Sequence, residues 1–271
     1  MLLEVKNLRI GIGKNNEEII KNINFSIEEK TCLGILGESG SGKSITCKSI
    51  LNLVNKKFNV SGEIIFQGRD LLKLSQEEIR KVRGKDISMV LQNPMTSFNP
   101  LYTIENQMIE TFLEHMDISR DKALEISKEA LEKMSLKNIE KILKKYPHEL
   151  SGGMLQRIMI GIAIILKPKL IIADEPTTAI DSINQKDIIE EFILLKKNLN
   201  VSILFVSHDL GILSHIADNL IVMKEGKIVE SGTTEEIIYN FKHEHTKFLI
   251  ETKRALMEKF KKVKKWYHKV K

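Results

Sequence analysis

Residues 31–54 read TCLGILGESGSGKSITCKSILNLV, and this stretch decides the fold. Its first part, TCLGIL, is a short apolar run of the kind that forms a strand buried on both faces. Its last part, ITCKSILNLV, carries apolar residues at helical spacing. Between them Gly37 to Ser44 spell G-E-S-G-S-G-K-S, a full match to the phosphate-loop pattern GxxxxGK[ST] in the strand–loop–helix setting that the pattern requires. Glycines let the backbone curl around a phosphate chain so that its N–H groups point inward. The following helix presents its positive dipole end to the same anion. Lys43 is expected to place a charge near the β- and γ-phosphates of a nucleotide, and the Ser44 hydroxyl to bind Mg²⁺.

Outward from this loop, strands and helices alternate. LLEVKNLRI (2–10) and IIKNINFSIEE (19–29) read as strands, and SGEIIFQGRDLL (61–72) as a small hairpin. Ser75 with Glu78 makes a capping box at the start of a short helix, SQEEIRKV. DISMVL is a strand that ends at Gln92. From about Thr103 to Tyr146 the pattern turns helical, with Ala123, Ile126, Ala130 and Met134 at three-to-four spacing and a stop before Pro147. Then KLIIAD (strand), INQKDIIEEFILLKKNL (helix), VSILFVS (strand) and NLIVMKEGKIVESG (a strand pair around Glu-Gly) follow. This alternation implies a mostly parallel sheet, with the helical block as an inserted lobe.

Asp174 and Glu175 close the KLIIAD strand, at the end where an open parallel sheet places its ligand crevice. An apolar run ending in Asp-Glu is, alone, equally a helix-start signal. Beside the phosphate loop it reads as chemistry: Asp174 as a Mg²⁺ ligand, Glu175 as the group that orients or deprotonates the attacking water. His208 alone would read as an ordinary strand-end histidine. Its place after VSILFVS and before Asp209 makes it a candidate functional residue.

Composition bounds the rest. Hydrophobic residues make up 42% and charged residues 29% of the 271, which is ordinary for a globular protein. The longest apolar run, Ile158 to Leu166, falls well short of the roughly 20 residues that cross a bilayer. MLLEVKNLRI has no apolar signal core, so a cytosolic chain is expected. Cys32 and Cys47 lack metal or redox spacing and are read as buried hydrophobes. The net charge of +6 sits unevenly: residues 253–271 hold nine Lys or Arg against Glu258, a net +8 that leaves −2 for the remainder. A basic tail on an acidic body weakens any nucleic-acid reading.

The stretch Leu150–Arg157, L-S-G-G-M-L-Q-R, resembles the signature motif of ATP-binding cassette (ABC) proteins, and the order of motifs agrees: phosphate loop, Gln92, signature, Asp174-Glu175, Asp181 in TTAID, His208 in VSHD. The resemblance runs from the first strand to about Gly232. It implies an α/β phosphate-loop NTPase fold, with a RecA-like core, an antiparallel β subdomain and an α-helical subdomain inserted at about 98–160. The ATPase domain would span 1–250 and the basic tail 251–271. It further implies ATP contacts from Gly37, Glu38, Ser39, Gly40, Ser41, Gly42, Lys43, Ser44, Ile45 and Gln92. Lys43, Glu175 and His208 would be catalytic, and Ser44, Gln92 and Asp174 would hold Mg²⁺. Two such domains pair head to tail in this family, so Ser151, Gly152, Gly153 and Asp181 are expected to act on the nucleotide of a partner.

The chain departs from the family at three points. Ile12 stands where an aromatic residue often stacks on adenine, with no aromatic between Leu8 and Ile20. Ile180 and Met154 replace the usual Leu and Gln. QNPMTSFNPL, YPHELSGGMLQR and IIADEPTTAID resemble the peptide and nickel importer branch, and GKSITC and FKHEHTKFL its nickel-import members. That likeness implies work at the cytoplasmic face of the membrane with a second, different ATPase subunit, two permeases and an extracytoplasmic binding protein. Membrane contact would run mainly through the permeases. Nickel, free or chelated, is the expected cargo and oligopeptide or dipeptide the alternative. A non-transport ATPase acting on ribosomes or nucleic acid would carry two cassettes or long insertions, which this chain lacks.

In the tail, Leu256, Phe260, Val263, Tyr267 and Val270 recur at helical spacing with lysines opposite. Such a helix either meets anionic lipid or a partner subunit, or packs on its own domain with its lysines solvated. The second is the expectation for this chain.

Overall fold

The computed structural model describes residues 1–13, 17–177, 182–199, 201–253 and 255. Asp181, Ile180 and nearly all of the basic tail therefore lie outside the described residues.

The apolar run before the phosphate loop is strand β3 (Cys32–Gly37), and all six of its residues are buried. It lies inside a sheet that also contains β6 (Ile87–Val90), β7 (Leu170–Asp174), β8 (Ser202–Ser207), β9 (Asn219–Lys224) and β10 (Lys227–Thr233), in the order β10-β9-β3-β8-β7-β6. All neighbouring pairs are parallel except the β9–β10 hairpin. Successive residues point to opposite faces of a strand, so one sheet serves two cores. Cys32, Leu36, Ile171, Ala173, Ile203, Phe205, Leu220 and Val222 join the cluster on one face. Leu33, Ile35, Leu170, Ile172, Leu204, Val206, Ile221 and Met223 join the cluster on the other.

The second face is covered by the helix α1 (Lys43–Ile50) and by an antiparallel sheet. That sheet holds β1 (Leu3–Ile12), β2 (Glu17–Ile27), β4 (Phe58–Phe66) and β5 (Arg69–Asp70) in the order β2-β1-β4-β5. The helix α2 (Gln76–Val82) begins at the expected capping box, with Ser75 and Glu78 bonded reciprocally. On the first face the helical block forms three helices, α3 (Ile104–His115), α4 (Arg120–Lys133) and α5 (Ile139–Leu143), followed by α6 (Gly152–Ile165). Breaks fall at Met116 and at Ser135–Asn138, where Ser135 and Asn138 take left-handed φ values of 54° and 58°. These helices share one buried cluster with the sheet, so the lobe has no separate apolar core of its own. The chain continues through α7 (Ser182–Leu199), α8 (Leu210–Ile216) and α9 (Thr234–Tyr239), then a further helical stretch over 244–253.

The β9–β10 turn braces the site. Glu225 and Gly226 both take positive φ, 48° and 76°, as a tight two-residue hairpin demands. The Gly226 N–H donates to Ser41 O at 3.0 Å and its carbonyl accepts from Lys21 N at 2.8 Å, tying the phosphate loop to β2. A Cβ at residue 226 would run into the Ile19 carbonyl oxygen.

Candidate functional site

Four neighbouring parallel strands set the order of the functional groups. Along the sheet, β3, β8, β7 and β6 end in the loop 37–44, in His208, in Asp174-Glu175 and in Gln92. Groups up to 171 residues apart in sequence thus meet along one edge, at the carboxyl ends where an α/β sheet binds its ligands.

Within the loop, Lys43 is 4% exposed, and its Nζ donates to the carbonyls of Gly37 at 2.9 Å and Glu38 at 2.8 Å. The same Nζ lies 3.6 Å from Glu175 Oε1. Glu175 Oε2 accepts from Gln92 Nε2 at 3.1 Å and lies 3.4 Å from His208 Nδ1. One carboxylate therefore gathers the loop lysine, the residue after β6 and the residue after β8. Glu175 reaches this position with φ at 46°, a conformation that costs a side-chain-bearing residue about 1–2 kcal/mol. Its N–H is bonded to Val206 O at 3.1 Å. Backbone strain of this kind, held by the surrounding sheet, is typical of residues placed for chemistry.

Asp174 sits behind the loop, 2% exposed, and accepts from Ser44 Oγ at 2.8 Å. Burial pushes its carboxyl above the ordinary aspartate range, against the opposing pull of the Ser44 hydroxyl. A buried hydroxyl–carboxylate pair next to a phosphate loop offers hard oxygen donors of the kind Mg²⁺ takes, with phosphate and water completing its shell. The residues present fit that ion. Among the described residues no cluster of three or more His, Cys, Asp or Glu could hold a metal, so a cation here would depend on the nucleotide. Both cysteines are buried and free, their thiols pushed up by burial, as befits core residues.

A cavity of about 1020 Å³ opens over these groups. It is lined by Glu38, Ser39, Gly40, Gly42, Lys43, Ser44 and Ile45 from the loop and α1, and by Gln92, Glu175 and His208 from the strand ends. Gly37, Ser41 and Asp174 do not line it but support those that do. Gly42 takes φ of 104°, and a Cβ there would collide with the Ile20 side chain. Two further walls, Ile19 and Phe58, were not signalled by any motif. The register of β1 against β4, which pairs Ile12 with Phe58, is what brings the ring to the rim.

The signature residues are elsewhere. Ser151, Gly152 and Gly153 begin α6 and do not line the cavity; Ser151 caps the helix by accepting from Met154 N at 3.3 Å. The link between α6 and the site is indirect. Leu91, just before Gln92, donates its N–H to Met159 Sδ at 3.3 Å, and its carbonyl accepts from Gln156 Nε2 at 3.5 Å. After His208, Asp209 caps α8 and pairs with Lys253 at 2.6 Å. Burial alone would raise the Asp209 carboxyl, but Lys253 and the Gly211 and Ile212 amides hold it below its ordinary value.

Known proteins place this arrangement. Residues 20–178 match the family model described as ABC transporter. The chain is 46% identical over 262 residues to the metal-staphylopine import system ATP-binding protein CntD of Staphylococcus aureus, covering 97% of each. It is 43% identical over 249 residues to the oligopeptide transport ATP-binding protein OppD of Bacillus subtilis, covering 90% of this chain and 70% of that one. The dimeric ATP-binding cassette MJ0796, solved in a post-hydrolysis state bound to ADP and Pi, superposes with a TM-score of 0.77 at 26% identity, over 86% of this chain and 99% of that one. A phosphate loop, a strand-end Asp-Glu and a strand-end histidine on one sheet edge, with this breadth of likeness, put the chain in the ABC transporter family, as an importer's ATP-binding subunit and an ATPase coupled to transport.

Proposed function

We propose that this ATPase powers uptake of a chelated transition metal, nickel first, with peptide import as the alternative within the same family. The observation that carries the cargo reading is the extent of the likeness. The metal-staphylopine relative matches over 97% of both chains, whereas this chain spans 70% of the oligopeptide relative. No residue of an ATPase subunit touches the cargo, so the reading rests on relatives alone.

In the reaction, the triphosphate lies along residues 37–44 and Lys43 exchanges its two carbonyl partners for phosphate oxygens. That exchange loosens Lys43 from Glu175 and leaves the carboxylate to orient and deprotonate the water that attacks the γ-phosphate in line. His208 donates to the γ-phosphate, and Gln92 reports its presence to the helical face through Leu91 and α6. Ser44 and Asp174, with the Gln92 amide oxygen, would hold Mg²⁺, which would supply positive charge against the phosphate oxygens. Ser151, Gly152 and Gly153 act on ATP held by a sister subunit, since their own cavity excludes them.

The sister is a different ATPase chain, and the pair docks at the cytoplasmic face on two permeases fed by an extracytoplasmic binding protein. Exposed apolar side chains between Gln92 and α3, and on α3 itself, support permease docking: Leu101 is 78% exposed and Tyr102 52%, with Met95 and, on α3, Leu113 also exposed. Exposed apolar patches mark protein interfaces. Among the described residues no helix is long and apolar enough to cross a membrane.

Uptake in a strain lacking this chain tests the cargo. Accumulation of radiolabelled nickel, offered with a metal chelator, should fall to background and return with the wild-type gene but not with Lys43→Ala. Nickel uptake that persists while a toxic oligopeptide no longer enters would replace the metal reading with the peptide one.

A further inference from the structure

The cavity changes character beyond the phosphate loop. The apolar part of its lining is Ile19 of β2, Ile45 of α1 and Phe58, the first residue of β4. Among the described residues lining that cavity, Phe58 is the one Phe, Tyr or Trp. It is half-buried and packs against the antiparallel-sheet cluster, which limits the ring's freedom. Lys57 Nζ lies 5.2 Å from the ring centroid.

The position matters because of what stands beside it. Ile12, at the end of β1, stands where the family resemblance leads one to expect a stacking aromatic, and its register partner across the β1–β4 ladder is Phe58. The Gly13 N–H donates to Lys57 O at 3.3 Å, so the two strands stay paired to that end. A ring absent from one strand is thus supplied at the same level by its neighbour. Directly opposed residues in an antiparallel pair sit only about 5 Å apart, close enough for one to cover the other's part.

We propose that Phe58 is the base-stacking residue of this chain: the adenine of ATP lies on its ring, flanked by Ile19, with Lys57 adding a cation at the ring. This rests on the reading that the triphosphate occupies residues 37–44. Stacking uses the face of the base and not its hydrogen-bonding edge, and every base has such a face. GTP is therefore held nearly as well as ATP, while inorganic tripolyphosphate gains nothing from the ring.

Calorimetric titration of the full chain with Mg-ATP and with Mg-tripolyphosphate separates the two halves of the site. Phe58→Ala should raise the Kd for ATP about tenfold to a hundredfold and leave tripolyphosphate within twofold. Phe58→Leu, which keeps the bulk and protects the fold, should weaken ATP by nearly as much, whereas Phe58→Tyr should bind like wild type. In a Trp266→Phe background, which removes the natural tryptophan, Phe58→Trp fluorescence should be quenched by ATP and not by tripolyphosphate. Unchanged ATP affinity in Phe58→Ala overturns the proposal, as does equal loss of both ligands in Phe58→Leu, which would mean a purely structural ring. Wild-type chain that binds neither ligand would instead overturn the triphosphate reading of the loop.

Discussion

Two glycine-serine turns in this protein each start a helix, and they are built in opposite ways. Before α1, Gly42 is left-handed and no side chain caps the helix, which starts at the cavity. Before α6, Ser151 is extended and caps the helix with its own hydroxyl, outside that cavity. An uncapped helix end inside a pocket is a standing anion site, because its orphan donors still need partners. A capped end has already spent its serine locally. Contact with a nucleotide from there requires that hydroxyl to be redirected by a partner's approach. The first turn opens on a cavity formed within one chain; on the function proposed above, the second meets its nucleotide only in an assembly.

The sharpest way to probe this contrast is the carboxylate that gathers the first turn's neighbours. Glu175→Gln in the assembled transporter should lower ATP hydrolysis by about 10²- to 10⁴-fold, the range of a lost general base, while ATP binding survives. Steady-state turnover and nucleotide retention on the same preparation measure both. Turnover within a few-fold of wild type would move the chemistry away from Glu175.

Ser151→Arg addresses the second turn. It should leave ATP affinity of the isolated chain within twofold, yet reduce hydrolysis by the complete assembly by on the order of 10²-fold, as for a lost oxyanion-type donor. Loss of ATP binding by the isolated chain would erase the distinction between the two turns.

A smaller effect concerns how the sheet edge beside His208 is braced. The Asp209 carboxyl is held below its ordinary value, so its contribution to stability is present above that value and is lost as pH falls through the lowered one. Lys253→Met should therefore lower the melting temperature by a few degrees at pH 7, and the gap from wild type should close as pH falls below the ordinary aspartate range. A gap that stays constant with pH would mean that Lys253 acts by packing of its stem and not by charge.

The residues of the first turn were legible because phosphate binding needs particular residue types in one short run. GESGSGKS leaves few alternatives, and an apolar run on either side announces the strand and the helix. The second turn was legible only as a motif, since nothing local says that Ser151 stays outside the cavity. Phe58 was invisible: a phenylalanine after two lysines, FNVSGEIIF, reads as any strand start. Gly226 read as a simple hairpin turn, and its grip on Ser41 depends on how that hairpin lies across the loop.

From sequence alone came the existence of the strands, the loop chemistry and the family's order of motifs, because these follow from local periodicity and from residue types that few other contexts tolerate. Tertiary structure decided the order β3-β8-β7-β6, the assignment of alternate strand residues to two cores, and the meeting of Lys43, Gln92, Glu175 and His208. A uniformly apolar strand looks the same from both sides, and parallel pairing joins segments that share no sequence neighbourhood. Which strand stands beside which is settled only when the whole sheet buries both its faces.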